Sequence, residues 1–533
     1  MLLSVRWGSW SNRRSGFCAV AAALALVVMP GAGSVEAGVK QGGRVVIVSA
    51  QEPRTLLPHF DLLTLSREVQ RLAFDGLLTL DDRGEYVPRL AAEVPTVENG
   101  GVSTDARVYT FKLRPGVKWQ DGTPFTAADV EFTWKVITDQ KLPIPSRVVW
   151  ADVTKVETPD PQTVRFTFAK PSLAFLGTVA SDRGYILPRH LLDGKDIVTS
   201  EFNRRPVGTG PFVVKEWAAG SHILLAKNPA YWEAGRPHLD EVLVRILPGT
   251  AAQRAALQRQ EADLQLHLPT ADVAFVKGLA DYQVIASPSY AWWHFWLNNE
   301  DPILKDRPVR QALAHALDKG AITSTVMAGL VSPMHAVIPP AHWAHNPAVK
   351  GYPYDPARAA QLLDEAGWKL GPGGIRQKEG RPLALEILNI AGEAERLQVV
   401  QIAQAGWRQI GVDAKLRTID GPAFPPAMGK GEFQVAYGWF GEEQEPVFTL
   451  WLGTNWQRYR NEKALDLLRQ ALTTPARVRR TELIRQFQVH AAEDEPTLPL
   501  APRVLLSAVS KHLKGYSPSV VGSLWNVAEW SKE

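Results

Sequence analysis

"YTFKLRPGVKWQDGTPFTAADVEFTW" (109–134) contains a strand, a tight connection and the start of a helix in one short run. From Val108 the chain alternates, with Tyr109, Phe111 and Leu113 on one face, as a half-buried strand does. Thr126 followed three residues later by Asp129 opens a capping box, and the helix behind it carries Phe132 and Val136 on one stripe. A strand handed on to an amphipathic helix is the repeating unit of an α/β protein.

The same alternation extends in both directions. "GRVVIVSA" (43–50), "TVRFTF" (163–168) and "EVLVRIL" (241–247) read as strands. "RPVRQALAHALDKG" (307–320) places Val309, Ala312, Leu313, Ala316 and Leu317 on one helical face, with Gly320 as its stop. "DPARAAQLLDEAG" (355–367) has Asp at the N-cap, Pro in the first turn and Gly past the end. "ERLQVVQIAQAGWRQIGV" (395–412) stripes Leu397, Val400, Ala403, Trp407 and Ile410, and Gly411 ends it. There are no internal repeats and no low-complexity linker, so lobes are expected to be joined by short crossings.

The amino terminus differs from the rest. Arg6, Arg13 and Arg14 precede the apolar run "FCAVAAALALVVM" (17–29), and small residues lead to Ala37. This order predicts a signal peptide, 1–37, cleaved near Ala37. A membrane span needs ~20 apolar residues, and this run is shorter. Cleavage removes Cys18, the chain's single cysteine, leaving no disulfide, thiolate or cysteine metal site. It also removes three arginines and Glu36, so the formal charge falls from +4 to about +2. That balance, without basic runs, excludes a nucleic-acid binder.

Five segments resemble, in order, those of the bacterial extracellular solute-binding proteins of family 5, receptors of peptide, opine and nickel ABC importers. They are "FDGLLTLDDRGEYVPRLAAE" (74–93), the opening stretch, "PVGTGPFVVKEWAAGSHILLAKNPAYW" (206–232), "RPVRQALAHALDK" (307–319) and "YDPARAAQLLDEAGW" (354–368). The resemblance implies an α/β, two-lobed periplasmic-binding-protein type II fold with an extra subdomain in the first lobe. The first lobe is expected over 38–298, with the subdomain at about 80–200, the second over 299–502, and a return to the first over 503–533. The implied protein is a periplasmic monomer without cofactor, metal or catalysis. It closes on a short peptide or other small solute and docks on an inner-membrane permease.

In this family the acid after a "GW.G"-like run holds a peptide's amino terminus. Here "AYGWFGEEQEP" (436–446) puts Glu442 at that place, with Glu445 as a second candidate and Glu443 as a bystander; Trp439 and Phe440 stand beside them. "YAWWHFWLNN" (290–299) places Tyr290, Trp292, His294 and Trp296 on one face, the expected cleft wall, and Trp293 and Phe295 on the other, the expected core side. His59, in "EPRTLLPHF" (52–60), is a pocket candidate because the matching family loop leads into the cleft. The arginine that clamps a dipeptide's carboxylate has no match, since Arg396 falls too late, so a plain dipeptide is disfavoured. Opine-like, oligosaccharide and metal-chelate ligands remain as alternatives. The histidines of "MHAVIPPAHWAH" (334–345) lack the acid or cysteine that would support a metal site.

Acids beside a tryptophan also suit an exported glycoside hydrolase built on Glu442 and Glu445. That chemistry needs two carboxylates about 5–10 Å apart across a sugar bond, which one tight loop seldom provides. No G-x-S-x-G, H-E-x-x-H or complete phosphate loop is present.

Overall fold

The structure, a computed structural model, describes residues 39–147, 149–392 and 394–533; the expected signal peptide and Cys18 lie outside them. The elements below all belong to one unit, Lys40–Glu533.

The opening stretch folds as read. Strand Val108–Lys112 buries Tyr109 and Phe111 and pairs antiparallel with Thr163–Phe168, which pairs on with Val153–Asp160. Helix Ala127–Thr138 follows with its capping box formed. One Asp129 oxygen accepts from the Thr126 N–H at 2.9 Å and the other from the Arg189 N–H at 3.0 Å, so one side chain both starts the helix and pins a distant segment. Phe166 and Phe175 meet edge-on at 4.9 Å inside this small sheet's core.

Two larger sheets carry the rest. The first, seven-stranded, runs Tyr282–Ser287, Leu505–Ser510, Leu264–Gln265, Arg44–Ser49, Glu241–Ile246, His222–Lys227 and Phe212–Ala218. Its centre is parallel, Arg44–Ser49 lying between Leu264–Gln265 and Glu241–Ile246. Leu505–Ser510, from the far end of the chain, inserts antiparallel between Tyr282–Ser287 and Leu264–Gln265. The second, five-stranded, runs Asp413–Ile419, Ala384–Ile390, Val435–Gly441, Ala291–Leu297 and Thr497–Pro502. Apolar layers cover both its faces. Phe295, Ile387 and Val435 pack with Leu313, Leu363 and Trp407 on one side, while Trp292, Trp296 and Ala436 pack with Met428, Trp451 and Phe487 on the other.

Strand Ala291–Leu297 pairs wholly within the second sheet, so the chain leaves the first sheet ahead of the 298/299 boundary read from sequence. The two crossings between sheets, after Ser287 and after Pro502, run side by side. The Ser289 hydroxyl donates to the Arg503 carbonyl at 2.5 Å, and the Arg503 N–H to the Ala291 carbonyl at 2.8 Å.

Two helix readings need correction. The 307–320 helix breaks after His315, and a separate turn starts at Lys319, because the Asp318 carboxylate caps the Ala321 N–H at 2.8 Å. Gly320 is therefore inside a turn rather than a stop. In helix Ala394–Gln409 the buried stripe begins at Arg396, and Leu397 is 38% exposed. Helix Pro356–Glu365 matches its reading, with the Asp355 carboxylate accepting from the Arg358 N–H at 2.9 Å and Gly367 at φ +84°.

Candidate functional site

Strand Val435–Gly441 has different surroundings along its length. Beside its middle, at Tyr437 and its neighbour-strand residue Trp293, lies a cavity of about 730 Å³. Its walls are the 267–271 loop of the first sheet, the 325–331 segment, the first turn of helix Ala394–Gln409 and the crossing 502–506, with Trp293 and Tyr437 from the second sheet. The Trp293 and Tyr437 rings stack at 5.6 Å. The Arg396 guanidinium lies 5.7 and 5.1 Å from their centroids and donates to the Tyr437 carbonyl.

Past Ala436 the strand parts from Ala384–Ile390, which pairs only with Val435 and Ala436. The Glu442 N–H donates to the Tyr290 carbonyl at 3.0 Å, which fixes the ladder with Ala291–Leu297. Counting back in twos, Phe440–Trp292 and Gly438–His294 are its hydrogen-bonded pairs. The N–H and C=O groups of Trp439 and Gly441 therefore point away from that ladder, to an edge with no strand beside it.

The loop that follows the strand, 442–446, ties the second sheet to the 84–85 turn and to Arg183. Gln444 donates through Nε2 to the Gly84 carbonyl at 2.7 Å and accepts from the Tyr290 hydroxyl. Its carbonyl accepts from Trp343 Nε1 at 2.6 Å. Glu443 pairs with Arg183 at 3.0 Å, and Arg477 approaches Glu85 at 3.6 Å.

The expected site residues divide accordingly. Glu442 is buried; one oxygen accepts from the Phe448 N–H at 3.3 Å, and Oε1 has no hydrogen-bond partner. Burial, with Glu443 beside it, pushes its carboxyl up to about 8. Glu445 is committed to Arg480 at 2.7 Å, both side chains buried, and burial raises its carboxyl more than the guanidinium lowers it. Arg480 is further satisfied by the carbonyls of Thr474 and Pro475 at 3.1 Å. Glu445 is thus no handle for a ligand, and the hydrolase reading fails with it, since one of its two acids is already held by Arg480.

The 291–297 strand shows the reverse of the expected faces. Trp292 and Trp296 are enclosed in the core, and the cavity is lined by Trp293. His294 is buried and uncharged, desolvation lowering it to about 3; its Nδ1 donates to the Thr497 hydroxyl at 2.6 Å, whose own proton goes to the Phe295 carbonyl. Period two identifies the faces but not which is covered, and here a β-bulge between Trp293 and His294 shifts the register against Thr497–Pro502. Trp439 is 48% exposed, with the Arg503 guanidinium 4.5 Å above its ring. Phe440 meets Trp292 at 5.9 Å. Tyr290 belongs to the bridging loop's contacts. His59 does not line the cavity; its Nε2 is bonded to the Tyr185 carbonyl at 2.8 Å. His342 and His345 bond to the Glu443 and Ile338 carbonyls.

Three residues that line the cavity, Arg396, Arg503 and His267, were not candidates from sequence. Arg396 left a signal there, a charge three residues before Val399 and four before Val400 on the buried stripe of a helix. The other two left none.

The sequence is 29% identical over 521 residues to a glutathione-binding protein, GsiB, of Escherichia coli, covering 94% of this chain and 96% of that one. The fold superposes on the oligopeptide-binding protein AppA of Bacillus subtilis, solved with a nonapeptide, at TM-score 0.72 and 25% identity, over 93% of this chain and 100% of that one. It superposes on NikZ of Campylobacter jejuni, solved with Ni(L-His), at TM-score 0.73 and 26% identity, over 92% and 99%. These neighbours share the two-lobed type II arrangement. The profile described as "Bacterial extracellular solute-binding proteins, family 5 Middle" matches residues 85–461, most of the described chain, and this chain belongs to that family.

Proposed function

We propose that this protein captures a short peptide or peptide-like solute between its lobes, in the periplasm, and presents it to the membrane permease of an ABC importer. The observation that carries this reading is the 730 Å³ cavity, walled by loops of both sheets beside the tied crossings. Its size suits a small organic ligand. A solute touching both walls favours the closed over the open arrangement, and that difference drives closure.

Two features favour a peptide. The outward N–H and C=O groups of Trp439 and Gly441 complement an extended main chain. The relatives named for glutathione and for oligopeptides bind ligands of this kind. Glu442, with its unpartnered oxygen at the end of that edge, is our proposed handle for a cationic group. Among the described residues no helix is long and apolar enough to cross a membrane.

Mass spectrometry of solute released from natively purified protein tests the reading. A peptide-sized, peptide-containing species is expected. Release of a sugar or a metal chelate overturns it, as does turnover of a chromogenic glycoside that Glu442→Gln abolishes.

A further inference from the structure

The first sheet's side of the cavity contains a group that the fold does not explain. His267 follows strand Leu264–Gln265 and lines the cavity, and its buried Nε2 has no hydrogen-bond partner. A polar atom in that state calls for a reason. Its backbone is left-handed, at φ +56°, a region histidine enters more readily than most residues, so the task of the ring is read from its unpartnered nitrogen.

The charges around it indicate that task. Glu68, on helix Thr64–Ala73, is close enough to favour a protonated imidazole, but its oxygens accept from the Ser523 and Leu524 N–H groups at 2.8 and 3.0 Å. Arg503, on the crossing, disfavours protonation, and desolvation does so more strongly. Arg396, Glu395 and Tyr437 stand on the walls of the same cavity. The imidazole is therefore neutral in the empty protein, and the two charges that reach it are Arg503 and Glu68, the latter already offset by Arg71 at 3.8 Å. A carboxylate entering the cavity accepts from the ring beside the Arg503 guanidinium.

We propose that His267 is a specificity-determining residue that hydrogen-bonds a carboxylate of the captured solute beside Arg503. This rests on the peptide reading above and adds which group of the ligand the first lobe recognises. The carboxylate stabilises the imidazolium, so binding takes up a proton. The contribution is fully present below the bound-state pKa of His267 and is lost as pH rises through it.

Calorimetry with tri-alanine and reduced glutathione, each as the free acid and as the C-terminal amide, tests this in the intact protein. The free acid is expected to bind about tenfold more tightly than the amide, the size of one charge-assisted hydrogen bond. In His267→Gly, which tolerates the left-handed backbone, that ratio should fall toward one. His267→Asn, also at ease there, checks that the fold is intact. Wild-type affinity for the acid should strengthen severalfold from pH 8 to pH 6. Ionisation of Glu442 acts in the opposite sense on an amine, so the difference between wild type and His267→Gly is the quantity to read. An acid-to-amide ratio unchanged in His267→Gly, or absent in the wild type, overturns the contact while leaving the peptide reading standing. Binding of neither peptide in either form overturns the peptide reading, and the contact with it.

Discussion

At the 442–446 end of strand Val435–Gly441, most polar groups are satisfied from within the chain: Gln444 by Gly84, Tyr290 and Trp343, Glu443 by Arg183, Glu445 by Arg480. Elsewhere the contrast is plain: Nε2 of His267 faces the cavity without a partner, and the strand's outer edge at Trp439 and Gly441 has no strand beside it. The loop ties segments of the chain to one another, while the cavity and the edge keep hydrogen-bonding capacity for another molecule. Substitutions in the two regions should therefore affect different quantities, stability at the loop and affinity at the cavity.

The largest effect is expected at the buried ion pair. Arg480→Ala leaves Glu445 buried without its partner and should cost about 3–5 kcal/mol in urea unfolding. A loss below about 1 kcal/mol would erase the contrast between the two regions, because surface pairs reach that size. Next comes Glu442. Its folded carboxyl is at about 8 against 4.5 unfolded, so the folded state keeps a proton that the unfolded chain releases. Stability from this group is fully present below about 4.5 and is lost as pH rises through 8. Glu442→Gln should flatten that decline by about 4 kcal/mol between pH 5 and pH 9. Glu495, also raised to about 8 by burial beside Lys319, contributes with the same sign, so the comparison with wild type isolates Glu442. The smallest effect belongs to Trp439→Ala, with a stability change of about 0.5–1 kcal/mol, the value of an exposed cation–π contact. A larger loss there would place Trp439 with the scaffold.

Local chemistry is legible in this sequence and long-range partnership is not. The capping box at Thr126 and Asp129 and the cap at Asp355 depend on residues within one turn, and both form as read. The break at Asp318 is equally local, but it competes with an apolar stripe that continues through it. The covered face of Ala291–Leu297 is decided by helices far along the chain, and both faces carry aromatic residues, so periodicity cannot choose between them. Glu445 is acidic and beside a tryptophan-bearing strand; only the fold brings Arg480 to it. The family and its two lobes were accessible because five motifs keep their order, whereas His267 and Arg503 meet through the crossing and leave no spacing to read.

The insertion of Leu505–Ser510 into the middle of the first sheet sets an order of events during folding. Until those residues have been made, Tyr282–Ser287 lacks the strand that joins it to Leu264–Gln265, and the sheet exists in two pieces. A partner so distant in sequence makes for slow closure. A chain terminated just before Leu505 would lose the keystone of its first lobe, and with it one wall of the cavity, rather than a dispensable tail.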